Sequence, residues 1–108
     1  MATSDLAEST FLQVKAQFAG QSFVDVGKML HAPCLRVNGK GFVFATREVL
    51  VMKLPAKRID KLELDGLGQR MTMGARVMKE WIAIPAEETE LCANLAHEAR
   101  DFVVDLQS

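Results

Sequence analysis

The 108-residue chain lacks most of the features that mark secreted, membrane-bound or disulfide-stapled proteins. Its two cysteines, Cys34 and Cys92, are too few for a disulfide framework, so both are predicted to be reduced and buried. No apolar run approaches the roughly 20 residues that a membrane-spanning helix needs. The first ten residues carry acids rather than a basic segment before an apolar core, which indicates that they are not a secretory signal. We therefore expect a cytoplasmic protein with no membrane segment.

A strong net charge is also absent, but the charges that are present are unevenly distributed. The formal net charge is −1. Residues 28–79 carry a net charge of +7, whereas residues 80–108 carry −6 and residues 1–27 carry −2. A basic middle segment suits nucleic acid or an acidic protein as a partner, provided that its charges share one face. The sequence favours the alternative, in which these charges are solvated sheet edges beside an acidic helix.

No combination of residues has the spacing of a catalytic, cofactor or metal site. His31 and Cys34 form one potential ligand pair, and Cys92 and His97 form another. Residues five apart on a helix point about 140° away from each other, so the second pair is poorly placed for one ion. Neither thiol has the base and orienting residue of an activated nucleophile in a recognisable pattern. Residues 66–68 lack the lysine and hydroxyl of a phosphate-binding loop. The sequence therefore predicts no catalytic residue, no metal ligand and no cofactor.

What the chain does contain is a strong pattern for a three-stranded antiparallel meander. Asn38-Gly39 separates two β-rich runs, and both residues tolerate the positive φ of a two-residue type I′ hairpin turn. This turn predicts that Val37 pairs with Lys40 and that Leu35 pairs with Phe42. Alternation then places two sets on opposite faces of the sheet: Leu35, Val37, Phe42 and Phe44 on one, and Cys34, Arg36, Val43 and Ala45 on the other.

Both faces of this meander are largely apolar. An antiparallel sheet with one wet face should show clean alternation of polar and apolar residues, and this sheet does not. We therefore expect helices to cover one face and another subunit to cover the other. The second covered face is the reason to predict a homodimer.

Helical and strand periodicity continues on both sides of the meander. Apolar residues at helical spacing predict an amphipathic helix at about residues 5–19, with Asp5 and Glu8 as a capping box. Residues 23–30 and 76–85 alternate as strands. A short helix follows the meander, and the longest helix ends the chain.

The predicted elements form one α+β domain over residues 1–108. Its two layers are an antiparallel sheet of about five strands and the N- and C-terminal helices, with a short middle helix. Residues 68–74 are the least regular part of the chain, and they form either a short strand or a mobile loop.

Five residues in and beside the strands are candidates for a binding site. Lysines inside otherwise apolar strands are unusual unless they are paired, extend to the surface or face a groove. The functional interpretation is a shallow cleft that binds an anionic ligand or a partner segment. The structural alternative is that edge-strand lysines prevent association between sheets, while the glutamate forms an ion pair and the tryptophan lies in the core. The five residues are Lys28, Lys53, Lys79, Glu80 and Trp81.

Five short segments, taken as a set, resemble a bacterial protein family. They are Gly27-Lys28-Met29, Ala32-Pro33-Cys34-Leu35, Val37-Asn38-Gly39-Lys40, Val51-Met52-Lys53-Leu54-Pro55 and Arg76-Val77-Met78-Lys79-Glu80-Trp81. Together with residues 95–103, they are similar to the small TfoX/Sxy N-terminal-domain-like proteins over nearly the whole chain from Val26 onward. The resemblance implies a stand-alone domain with a YjbR-like or secretion-chaperone-like fold, in which helices pack with an antiparallel sheet.

The residues and the resemblance together lead us to expect a non-enzymatic domain that acts by protein contact in a regulatory or accessory role. Its partner, beyond a second copy of the chain, is unidentified. Named family members include a competence regulator that works with the transcription machinery, so the resemblance also implies a DNA-binding module as an alternative. That alternative requires a shared face for five basic residues, and an enzyme of unknown class is the third possibility. The basic residues are Lys28, Arg36, Lys40, Lys53 and Lys79.

Overall fold

The computed structural model describes residues 4–29 and 32–107, and it shows a two-layer α+β fold. The six strands that it describes form one antiparallel sheet in the order β1-β2-β3-β4-β6-β5. This confirms the predicted fold class, with six strands in place of about five. The elements are α1 (Asp5–Ala16), β1 (Val24–Met29), β2 (Ala32–Val37), β3 (Lys40–Thr46), β4 (Val49–Lys53), α2 (Ala56–Leu64), β5 (Gln69–Met73), β6 (Arg76–Pro85) and α3 (Thr89–Leu106).

The first helix begins at a different cap from the one predicted. The Ser4 hydroxyl accepts a hydrogen bond from the Ala7 N–H at 3.1 Å, so Ser4 is the N-cap. The expected capping box between Asp5 and Glu8 is therefore wrong, because both residues already lie inside the helix. The helix ends at Ala16, earlier than the expected residue 19.

All three helices pack on the same face of the sheet. Their buried residues join the strand residues of that face in one core cluster. This confirms that helices cover one face of the meander. Within the described residues, none of these helices is long and apolar enough to cross a membrane. The helix residues of the cluster include Phe11, Val14, Phe18, Ile59, Leu62, Leu95 and Val103, and the strand residues include Leu35, Leu50, Met52, Ile82 and Ile84.

The opposite face of the sheet, which we call the open face, carries a second and smaller apolar cluster. All of the described residues in this cluster belong to strands. Its buried members are at most 8% exposed, which means that the twisted sheet and its neighbouring side chains already exclude most water there. The apolar second face that was predicted therefore exists. Its buried members are Ala32, Cys34, Phe44 and Val51, and Val49, Met71, Trp81 and Ala83 pack partly buried against them.

The Asn38-Gly39 turn has the predicted geometry. Asn38 has a φ of 52° and Gly39 a φ of 81°, the two positive values of a type I′ turn. Val37 pairs with Lys40 as expected. The turn therefore fixes the start of the β2–β3 ladder.

One residue pair further along, a β-bulge changes the register. Arg36 pairs with Gly41, but Leu35 pairs with Val43, so Phe42 is an extra residue on β3. The expected pairing of Leu35 with Phe42 is wrong. Because a bulge sets two consecutive residues against one, both Phe42 and Val43 enter the helix-side core, and every later residue of β3 changes face. Phe44 consequently lies on the open face, and Ala45 lies on the helix side.

The turn between β3 and β4 connects the sheet to two helices. Arg47 adopts a positive φ of 54°, and its carbonyl accepts the Ser4 N–H at 2.8 Å. The Glu48 carbonyl accepts the Ala86 N–H at 3.0 Å, just before α3. The buried Thr10 hydroxyl of α1 donates to the Ala86 carbonyl at 2.7 Å. These bonds hold α1 and α3 against one end of the sheet.

Candidate functional site

Lys53, Glu80 and Trp81 form a compact contact group where β4 ends beside β6. Lys53 pairs with Trp81 across the two strands, which puts both side chains on the open face. The Lys53 Nζ lies 5.3 Å from the centroid of the Trp81 ring and 3.8 Å from Glu80 Oε1. The ammonium group therefore has both a cation–π contact and an ion-pair partner.

The Trp81 ring also joins this group to the apolar cluster of the open face. Its centroid lies 5.7 Å from that of Phe44, with an angle of 56° between the rings. Such tilted contacts stabilise aromatic pairs beyond the area that they bury. Trp81 is thus held in place by neighbours on two sides, although it is only partly buried.

Four of the five predicted site residues line one surface depression of about 440 Å³, which we call the Trp81 depression. Its lining consists of residues 76–81 of β6 together with Lys53 and Ala56. Lys28 lies elsewhere, because β2 and β3 separate its strand from β4. Lys28 pairs with Pro33, on the same side of the ladder as Val26 and Leu35, which is the helix side.

The contacts of Lys53, Glu80 and Trp81 agree in part with a binding cleft and in part with the structural alternative. Glu80 pairs with Lys53 as the structural alternative requires, yet β4 is an interior strand and not an edge. The Lys53 and Glu80 side chains are 26% and 42% exposed, so the ion pair remains within reach of a partner. An indole beside a half-exposed ion pair offers both apolar contact and directed polar contact, as polypeptide-binding surfaces do.

The two thiols are poorly suited to nucleophilic chemistry. Cys34 is 1% exposed, and desolvation by burial raises its pKa to about 11. Cys92 is fully buried, and the same cause raises its pKa to about 12. A thiol reacts as the thiolate, so both groups are inert near neutral pH.

Among the described residues, neither Cys34 nor the Cys92–His97 pair is joined by enough further ligands to hold a metal ion. His31 lies outside the described residues. The His97 ring stacks on Phe18, with centroids 4.7 Å apart, while the Cys92 thiol points to the Pro85 carbonyl at 3.7 Å. Within residues 4–29 and 32–107, no group of three or more histidine, cysteine or carboxylate side chains could hold a metal ion.

The basic residues that a DNA-binding surface would need are divided between the two sides of the sheet. Lys40 pairs with Val37 and therefore lies on the helix side, as Lys28 does. Arg36 and Lys53 lie on the other side, and both are paired with carboxylates. Arg36 binds Asp25 through two hydrogen bonds of 3.0 and 2.8 Å.

Sequence reasoning missed the Arg70 side chain, which connects β5 with α2 and β6. Its guanidinium lies 2.7 Å from Glu63 Oε1 and 2.9 Å from Asp60 Oδ1, and it donates to the carbonyls of Ala56 and Lys79 at 3.0 and 3.1 Å. The spacing of Asp60 and Glu63 on one face of α2 was the available signal. Arg70 ties β5 to α2 and β6, and residues 69–73 form a strand paired with β6 and not a loop.

Sequence reasoning also missed a groove between α1 and β1, with a volume of about 510 Å³. We call it the α1–β1 groove. Its side chains are mostly apolar, and Leu12 and Val26 within it are 59% and 44% exposed. The other lining residues include Lys15, Phe18, Val24 and Leu35.

Comparison with known proteins gives no match: no family model, no curated protein and no solved structure is similar to this chain. The resemblance to the TfoX/Sxy N-terminal-domain-like proteins stays a prediction from the sequence.

Proposed function

We propose that the chain is a non-enzymatic, cytoplasmic domain of the TfoX N-terminal-like type that acts by protein contact, as a homodimer, in a regulatory or accessory role. The observation that carries this proposal is the open face. There no helix among the described residues covers the sheet, and Trp81 and Lys53 line one depression whose rim includes Glu80 of the same strand as Trp81. A partner polypeptide is the occupant that this chemistry fits.

The supporting argument is energetic. Tryptophan is enriched among the interface residues that contribute most to binding, provided that neighbouring side chains hold it and exclude water. Phe44 and Lys53 hold Trp81 in this way. Met71 and Ala83, which are partly buried on the same face, extend the apolar area around it.

Two other functions gain less from the geometry. Both thiols are buried and protonated, which gives an enzymatic mechanism based on cysteine no support. The division of the basic residues between two sides of the sheet gives no support to the DNA-binding alternative, because phosphate contacts add up only on one surface.

Sedimentation equilibrium tests the proposal. We expect the full chain to have twice its monomer mass of 11.9 kDa at tens of micromolar. A monomer at every concentration up to about 100 µM would contradict the homodimer. A second experiment titrates the chain with mixed-sequence duplex DNA at low salt. If the chain binds this DNA and its affinity falls steeply as salt is added, the DNA-binding alternative replaces the proposal.

A further inference from the structure

The strand β1 has one side that no described strand occupies. It forms one end of the sheet and pairs with β2 alone, in a regular register over six residue pairs. The Asn38 N–H donates to the Phe23 carbonyl at 2.9 Å, just before the first of these pairs. Because hydrogen-bonded and non-hydrogen-bonded pairs alternate in an antiparallel ladder, Asp25 and Gly27 bond to β2. The backbone groups of Val26 and Lys28 point away from the sheet.

The position of Pro33 agrees with this alternation. Pro33 has no N–H, and it pairs with Lys28 at a position where the ladder needs no donor toward β1. The Val24 N–H is bonded to the Gln21 carbonyl at 3.1 Å, which leaves its carbonyl on the free side. The free edge of β1 therefore offers two donors, from Val26 and Lys28, and three acceptors.

The other end of the sheet is less suited to strand addition. The register of β5 shifts between Arg70 and Thr72, and such irregularities are one way in which edge strands avoid pairing with other chains. No shift interrupts β1. In addition, the apolar α1–β1 groove runs beside β1, with Leu12 and Val26 substantially exposed.

We propose that a second copy of the chain adds to this edge, through an antiparallel β1–β1 ladder centred on Val26. This inference rests on the homodimer of the proposed function, but it places the dimer interface at the β1 edge and leaves the open face for a separate partner polypeptide. Val26 of each copy exchanges two hydrogen bonds with Val26 of the other. The Lys28 N–H of each copy donates to the Val24 carbonyl of the other, and the two sheets become one.

Charge selects this register over its neighbours. A ladder centred on Asp25 would set two carboxylates directly against each other, and one centred on Lys28 would set two ammonium groups together. A ladder centred on Gly27 would bring the two Arg36 side chains together, because a Cβ at Gly27 would lie only 2.7 Å from the Arg36 Nε. The register centred on Val26 avoids all three contacts.

The same register creates an attractive contact on the open side of the ladder. It places Asp25 of one copy directly opposite Gly27 of the other, where the Arg36 guanidinium lies. Arg36 uses Nε and Nη2 to bind the Asp25 of its own chain, which leaves Nη1 for the second carboxylate. Two arginines and two aspartates thus alternate across the two-fold axis.

A charge at the centre of the ladder tests the proposal. Val26→Lys places two ammonium groups face to face in the dimer, while in the monomer it alters a side chain that is already 44% exposed. We expect the dimer dissociation constant to rise by at least about tenfold. The matched control is Leu64→Lys, on α2 and 84% exposed, which should leave the constant unchanged. A Val26→Lys protein that dimerises like the wild type overturns the β1 interface but not the homodimer, whereas a monomeric wild type overturns both.

Cross-linking keeps the test independent of any loss of stability. Val26→Cys should form a disulfide-linked dimer under mild oxidation, because paired residues across a ladder lie within disulfide range. Leu64→Cys on α2, at 84% exposure, is the control that should remain mostly unlinked. Equal cross-linking of both variants would overturn the proposal. Trp81 adds a second readout, since it is the only tryptophan in the sequence and β2, β3 and β4 separate its strand from β1. A shift of its fluorescence on dimerisation would place the contact at the open face instead.

Discussion

Replacing Arg70 with methionine should destabilise the fold by about 2–3 kcal/mol. The methionine retains most of the apolar stem but removes every donor of the guanidinium. The carbonyls of Ala56 and Lys79 then lose the hydrogen bond from Arg70, and Glu63 and Asp60 are left without their shared cation. We expect β5 to detach from α2 before the rest of the sheet unfolds.

The magnitude follows from the exposure of each partner. The Arg70 side chain is 17% exposed, and the side chains of Glu63 and Asp60 are 36% and 67% exposed. The pair with Asp60 is therefore largely screened and contributes little. The pair with Glu63 and the two carbonyl bonds contribute about 1 kcal/mol each. For a domain of this size, the total corresponds to a fall in melting temperature of roughly 10 °C or more.

Urea unfolding of four proteins provides the assay: the wild type, Arg70→Met, Glu63→Gln and the double variant. A coupling energy of about 1 kcal/mol between Arg70 and Glu63 is expected, since they are in direct contact. The control is Arg58→Met, which removes a pair with Glu98 whose side chains are 38% and 45% exposed, and should cost less than about 1 kcal/mol. If Arg70→Met costs no more than Arg58→Met, the reasoning about β5 fails.

Three further variants or conditions test other parts of the fold. Arg47→Gly should stabilise the protein by about 0.5–1 kcal/mol in thermal unfolding, because Arg47 has a φ of 54°, and a destabilised variant would contradict this. Thr10→Val should cost about 1 kcal/mol in urea unfolding through the lost bond to the Ala86 carbonyl, and an unchanged midpoint would contradict it. The pKa values of Cys34 and Cys92 lie above the ordinary value of 9.0, so unfolding releases protons above that pH. The free energy of unfolding should therefore fall, between pH 9 and 11, by about 1 kcal/mol per pH unit for each of the two thiols. If urea unfolding gives the same free energy across this pH range, the burial of both thiols is refuted.

Local patterns in the sequence predicted most of the architecture. Asn38-Gly39 predicted the hairpin turn because a type I′ turn requires residues that tolerate a positive φ. The alternation in residues 76–85 predicted β6 with its observed bounds. The fold class followed from the order of these elements. Contacts distant in sequence were not needed for either inference.

The errors lie where a distant contact overrides a local pattern. Alternation could not reveal the bulge at Phe42, because the extra residue is accommodated by helix-side packing that the strand's own sequence does not encode. In the same way, residues 69–73 pair with β6 and are anchored to α2 through Arg70, contacts that the local sequence pattern does not reveal. Of the five residues predicted as a candidate site, four line one depression, whereas the position of Lys28 depends on strand order, which single-residue patterns do not determine.

Amide hydrogen exchange in β1 tests the self-pairing of the chain most directly. Asp25 and Gly27 donate to β2 and should be protected at every protein concentration. Val26 and Lys28 point to the free edge, so we predict that their amides exchange rapidly in dilute protein and become protected as the dimer forms. If these two amides exchange rapidly at concentrations where the chain is dimeric, β1 is not the interface.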